Sequence, residues 1–85
     1  MKVLIPGALR SYTDAAEARA DGATLAEVLA ALDCQYPGIR FRIIDEQGRI
    51  RRHIRIFFDG EQVLDTARPL PADGELIIVQ ALSGG

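Results

Sequence analysis

The chain closes on Glu75-Leu76-Ile77-Ile78-Val79-Gln80-Ala81-Leu82-Ser83-Gly84-Gly85, and its chemistry concentrates at the end of that run. Its Leu, Ile and Val content fits a strand buried or contacted on both faces, and it passes without a turn into Ser83 and two glycines. Lacking Cβ atoms, Gly84 and Gly85 form a narrow tail that takes nearly any backbone angle and brings its carbonyls close to another surface. A carboxylate carried on such a tail suits a partner whose active site must enclose it. Paired terminal glycines are also what a frayed end looks like, so the rest of the chain must decide between the two.

Elsewhere the reactive side chains are few. One cysteine, Cys34, and one histidine, His53, exclude an internal disulfide, a zinc site and a four-cysteine iron–sulfur site. Cys34 has no base near it in sequence that would activate it, which argues against a nucleophile. His53 lies among Arg51, Arg52 and Arg55 and reads as a solvated surface histidine. Acid pairs such as Asp45-Glu46 fall in turns, where carboxylates are ordinary. There is no phosphate-binding glycine loop, nucleophile elbow or paired-cysteine motif. The expectation is therefore a chain with no catalytic residues and no metal site of its own. The densest charge feature is the set Arg40, Arg42, Arg49, Arg51, Arg52 and Arg55. It is either a solvated basic edge balanced by acids elsewhere or a docking surface for an acidic partner.

The elements that must position the tail follow from length and pattern. Eighty-five residues, 48% hydrophobic and 26% charged, describe one domain, 1–85, that is neither disordered nor membranous. A chain of this size buries about 60 to 65% of its unfolded surface, enough for one layer of sheet and helix. No apolar run approaches the ~20 residues of a membrane span, and the start Met1 to Pro6 is too short for a signal peptide; a cytoplasmic location is the default. A net charge of −2 gives no global attraction to nucleic acid.

Lys2 to Ile5 alternates, with Val3 and Ile5 on one side and Lys2 and Leu4 on the other, and stops at Pro6-Gly7. Ala8 to Asp14 is irregular. Ala15 to Gly22 favours helix by propensity yet also shows period two, with Ala16, Ala18 and Ala20 against Glu17, Arg19 and Asp21; it is assigned as the return strand of a hairpin. A helix starts at Thr24, capped with Glu27 in a capping box, and presents Leu25, Val28, Leu29, Leu32 and Tyr36 on one face, with Cys34 roughly opposite. Pro37-Gly38 ends it. Ile39 to Ile44 holds one or two helical turns, and Asp45 to Gly48 is a turn. The run Arg49 to Phe58 reads as a strand in which Ile54, Ile56 and Phe58 alternate with Arg55 and Phe57, closed by Asp59-Gly60. Val63-Leu64 forms a brief edge strand, Asp65 to Gly74 is loop, and Glu75 opens the final strand. The fold class is α+β, a mixed sheet with one main helix packed across one face.

If Leu76 and Ile78 face the helix, then Ile77 and Val79 lie on the open face together with Phe57. With Leu82 at the base of the tail, these form a candidate partner-docking patch, since contiguous exposed apolar surface marks interaction sites. The alternative is that loops or the Arg40 to Arg52 segment fold over this face and make a second small core.

These features together resemble the ubiquitin-like sulfur carriers of the MoaD/ThiS family, which have a β-grasp fold. The likeness covers nearly the whole chain. It includes the opening strand, the hairpin return, the capped helix, Ile54 to Gly60 followed by Glu61, Ala72-Asp73-Gly74-Glu75 before the last strand, and the terminal Gly84-Gly85. The resemblance implies that an E1-like adenylating enzyme activates the Gly85 carboxylate with ATP, and that sulfur replaces AMP to give a thiocarboxylate. Ser83 and Gly84 would form the tail that threads the partner's channel, and a sulfur-acceptor enzyme of a biosynthetic pathway (cysteine, molybdopterin, thiamine or a specialised metabolite) would consume the sulfur. It implies no bound cofactor, no membrane, and a monomer in isolation. Two other readings stay open: a protein modifier conjugated through Gly85, disfavoured as a chain-former because Lys2 is the only lysine, and a non-covalent β-grasp binding module.

Overall fold

The computed structural model describes residues 1–81; the tail positions Leu82, Ser83, Gly84 and Gly85 lie outside the described residues. Five strands form one sheet in the order β2-β1-β5-β3-β4: β1 Lys2–Leu4, β2 Glu17–Arg19, β3 Ile54–Phe58, β4 Glu61–Gln62 and β5 Glu75–Gln80. β1 runs antiparallel to β2 and parallel to β5, and β5 runs antiparallel to β3. The last strand is thus the central one, hydrogen-bonded on both edges.

Alternation decides which way each strand points its apolar side chains. Val3 and Ile5, Ile54, Ile56 and Phe58, and Leu76 and Ile78 are all buried and face the helical layer. Two helices follow β2: α2, Leu25–Gln35, and α3, Ile39–Ile43. α2 supplies Leu25, Val28, Leu29 and Leu32 to the core, α3 supplies Ile39 and Ile43, and Tyr36 packs partly buried against the same cluster. Cys34 is exposed, as the helical period requires.

The start of α2 is capped from both directions. The Glu27 N–H donates to the Thr24 hydroxyl oxygen at 3.2 Å. The Glu27 carboxylate reaches back to accept from the Ala23 N–H at 3.3 Å and from the Thr24 hydroxyl at 3.4 Å. In the usual capping box the reciprocal bond comes from the N-cap residue's own N–H; here it comes from the residue before it. Between α2 and α3 the Asp33 carboxylate accepts from the N–H groups of Gly38 and Arg40 at 3.0 and 3.1 Å. It satisfies donors at the head of α3 that no earlier turn serves.

Three local readings of the sequence are corrected. Ala8 to Asp14 is not irregular: a 3-10 turn over Gly7–Leu9 leads into the single α turn α1, Arg10–Thr13. Buried Leu9 and Thr13 hold that turn onto the core. The strand expected from Arg49 starts only at Ile54. Asp45 closes a tight turn by accepting from the N–H groups of Gln47 and Arg49, each at 2.9 Å, and this folds Ile50 back beside Ile44. The edge strand expected at Val63-Leu64 is β4, Glu61–Gln62. Asp59 and Gly60 both have positive φ, 48° and 87°, and a two-residue turn of that hand starts the return strand at the very next residue.

Candidate functional site

β5 fixes the position from which the tail departs. Its ladder with β3 runs from Phe58 opposite Leu76 to Ile54 opposite Gln80, and one further bond, from the Ala81 N–H to the His53 carbonyl at 2.8 Å, clamps the last described residue. Anchoring by a central strand means that the root of the tail moves only if the middle of the sheet does.

The sheet face away from the helices carries Phe57, Ile77 and Val79. Register places them in one neighbourhood: Phe57 lies opposite Ile77, which lies opposite Leu4 on its other side, and Val79 lies opposite Arg55. Phe57, Ile77 and Leu4 are half-buried by one another, and Val79 is 40% exposed. Among the described residues no helix crosses this face, because α3 and the segment after it join the same core cluster as α2 through Ile39, Ile43 and Ile44. The alternative of an Arg40 to Arg52 cover is therefore not what the chain adopts. Alternation in the sequence puts Leu4 on the side of β1 opposite Val3 and Ile5 but does not join it to the patch. Alternation carried half of that signal; the other half, that β1 neighbours β5, is a long-range pairing that no local pattern encodes.

Charges border the apolar row. Lys2 lies opposite Glu75 on one side and Arg19 on the other, and its ammonium pairs with Glu75 at 3.4 Å and Glu17 at 3.5 Å. The hydrogen bond to Glu75, reinforced by Glu17, holds the Lys2 pKa above its ordinary value. The chain's only lysine is thus kept protonated and paired. The N-terminal ammonium is paired with Asp21, whose carboxyl that hydrogen bond holds below its ordinary pKa.

The remaining sequence candidates assemble no reaction centre. Cys34 and His53 sit on different elements, and among the described residues no three His, Cys, Asp or Glu side chains group as metal ligands would. No helix among them is long and apolar enough to cross a membrane. The arrangement offers a carboxyl-terminal tail rooted in the central strand and an apolar, charge-bordered face beside the root.

Comparison with known proteins gives that arrangement a family. The ThiS family model matches residues 3–85, through both terminal glycines. A chain of the BexX/CysO complex from Amycolatopsis orientalis superposes with a TM-score of 0.90 at 27% identity, covering 99% of this chain and 98% of that one. CysO from Mycobacterium tuberculosis gives 0.89 at 29% identity over 95% and 98%. The small archaeal modifier protein 1 from Methanosarcina acetivorans gives 0.79 at 26% over 99% and 94%. No curated protein sequence matches at a significant level. The chain is a ubiquitin-like β-grasp protein and belongs to the ThiS family of sulfur carriers and modifiers.

Proposed function

We propose that this chain is a sulfur carrier whose Gly85 carboxylate is the group that reacts. A carboxylate is a poor electrophile. An E1-like adenylating enzyme would join it to the α-phosphorus of ATP with loss of pyrophosphate, and a sulfide-equivalent nucleophile would then displace AMP to leave the carbonyl carbon bonded to sulfur. The thiocarboxylate serves as a nucleophile in an acceptor enzyme's active site, so the chain acts as a co-substrate and is not itself an enzyme. Covalent catalysis normally uses a side chain for this purpose; here the terminus does the work, and docking supplies the effective concentration.

The observation that carries the reading is the family match running through Gly84 and Gly85, on a chain whose last strand is the central one of the sheet. Incubated with its adenylating enzyme, ATP and a sulfur donor, the chain should gain the mass of one oxygen replaced by sulfur, located at Gly85 by fragmentation. An unchanged mass, with an enzyme shown to load another carrier, sinks the reading. The likeness to a protein named as a modifier keeps conjugation through Gly85 as the second reading. Amide-linked adducts on other proteins, without an accumulating thiocarboxylate, would favour it.

A further inference from the structure

The arginines between residues 40 and 55 have no part in the chemistry above, yet the fold gathers five of them, Arg42, Arg49, Arg51, Arg52 and Arg55, around hollows that share lining residues, while Arg40 lines a separate one with Asp33. That stretch holds Arg40, Arg42, Arg49, Arg51, Arg52 and Arg55 against Asp45 and Glu46. Its net charge is +4 in a chain whose total is −2. Among the described residues none of the six enters an ion pair with a carboxylate. Two of them are held by neutral groups instead. The Arg51 Nε donates to the Phe41 carbonyl at 2.7 Å, with its guanidinium 4.6 Å from the centre of the Phe41 ring. The Arg55 Nη1 donates to the carbonyls of Arg52 and Ile54 at 2.6 and 3.0 Å. Carbonyls and a ring fix a guanidinium without cancelling its charge. Of the two acids within the stretch, Asp45 has its Oδ1 occupied by the backbone N–H groups of Gln47 and Arg49.

Position gives this charge its meaning. Phe41, Arg42, Arg51, His53 and Gln80 line an open hollow of about 270 Å³, and a second of about 460 Å³, lined by Arg49, Arg51, Arg52 and His53 among others, adjoins it. Gln80 is the last residue of β5, and His53 accepts the hydrogen bond from the Ala81 N–H. The basic shelf therefore forms the rim from which the tail departs.

We propose that this shelf docks against an acidic rim around the entrance through which the adenylating enzyme admits the tail. The proposal rests on the reading of the tail as the reactive end. Fixed, planar guanidinium groups are suited to bidentate capture of protein carboxylates, and a concentrated patch of one sign accelerates encounter with its complement. A nucleic acid is the less favoured partner. The chain outside the stretch carries a net −6 and would repel a polyanion extending past the shelf, whereas an acidic rim can be as small as the shelf itself.

The test uses Arg42→Glu/Arg52→Glu, two exposed side chains outside every hydrogen bond and ion pair described above, with circular dichroism confirming the fold. At low ionic strength, association with the adenylating enzyme of the same genome should slow about tenfold and converge on the wild-type rate at high salt. An unchanged rate with an unchanged salt slope overturns the proposal. In NMR titrations an oligoglutamate peptide should shift the amides of Arg42, Arg51, His53, Gln80 and Ala81 in the wild type and not in the variant. Shifts scattered over the molecule, or tighter binding of oligouridylate of equal charge, also overturn it. The two readings fail separately. A wild-type chain that binds with the expected salt dependence but gains no sulfur keeps the shelf and sinks the carrier. A variant that loads sulfur at the wild-type rate at low salt keeps the carrier and sinks the shelf.

Discussion

Phe57 is the residue on which the proposed docking face can be tested. It is half-buried and lies opposite Ile77 on one side of the ladder and Gln62 on the other. Cross-strand pairs of this kind are worth about 0.2 to 1 kcal/mol each, so Phe57→Ala should destabilise the fold by roughly 1 kcal/mol, about 4 to 8 °C in melting temperature for a domain this small. Covering the ring with a partner contributes ~1.5 to 3 kcal/mol, so affinity for the adenylating enzyme should fall about 10- to 150-fold. Thermal melts and a binding isotherm on the same preparation measure both. A loss of ~3 to 5 kcal/mol in stability, as for a fully buried Phe, with affinity preserved, would identify a core residue instead. Phe57 could be read from the sequence because Ile54, Ile56 and Phe58 leave it alone on the other side of an alternating run. Leu4 could not, since its membership depends on β1 lying beside β5.

Among the elements, β5 depends most on a residue outside it. Gly74, just before the strand, has φ 138°, and a Cβ there would lie 2.5 Å from Cζ of Phe58 and 3.0 Å from Oδ2 of Asp59. The same Asp59 accepts from the Glu75 N–H through its other oxygen at 2.9 Å and so sets the first residue of β5. Gly74→Ala should cost roughly 2 to 4 kcal/mol, from the steric collision together with backbone strain. Gly60, at φ 87° with nothing within 4 Å of its built Cβ, provides the control. There the same substitution carries the backbone penalty alone, about 1 kcal/mol. Equal losses at the two sites, measured by denaturant unfolding, would show that Phe58 moves aside and that the close approach does not matter. α2, β1 and β5 were legible because cap, period and turn residues agree in each. Arg49 to His53 was misread because alternation persists through a turn whose closure depends on the Asp45 carboxylate, and β4 was placed two residues late because the hand of the Asp59-Gly60 turn is a backbone property.

At the scale of the molecule, the proposed function assigns folding and reaction to different parts of the chain. Among the described residues the buried apolar cluster runs from Met1 to Ile78, and the last ladder bond among them comes from the Ala81 N–H. Gly84 and Gly85 have no side chains to bury, so the chain truncated before Gly84 should melt within about 2 °C of the full one, a change of less than ~0.5 kcal/mol. On the proposed function it should gain no sulfur, since its terminal carboxylate then sits on Ser83, two residues short and on a residue that carries a Cβ. It should still bind the adenylating enzyme through the Phe57, Ile77 and Val79 face, and so inhibit loading of the full-length chain competitively. Interactions that act on docking and interactions that act only on the activated terminus have different kinetic signatures, and this variant keeps the first while deleting the second. Calorimetry, intact mass and an inhibition series on one preparation read the three outcomes. A truncated chain that inhibits nothing would mean that the tail supplies the binding energy and the open face does not. One that still supports its pathway in cells would mean that the terminus does not react, leaving a non-covalent β-grasp module as the function of the chain.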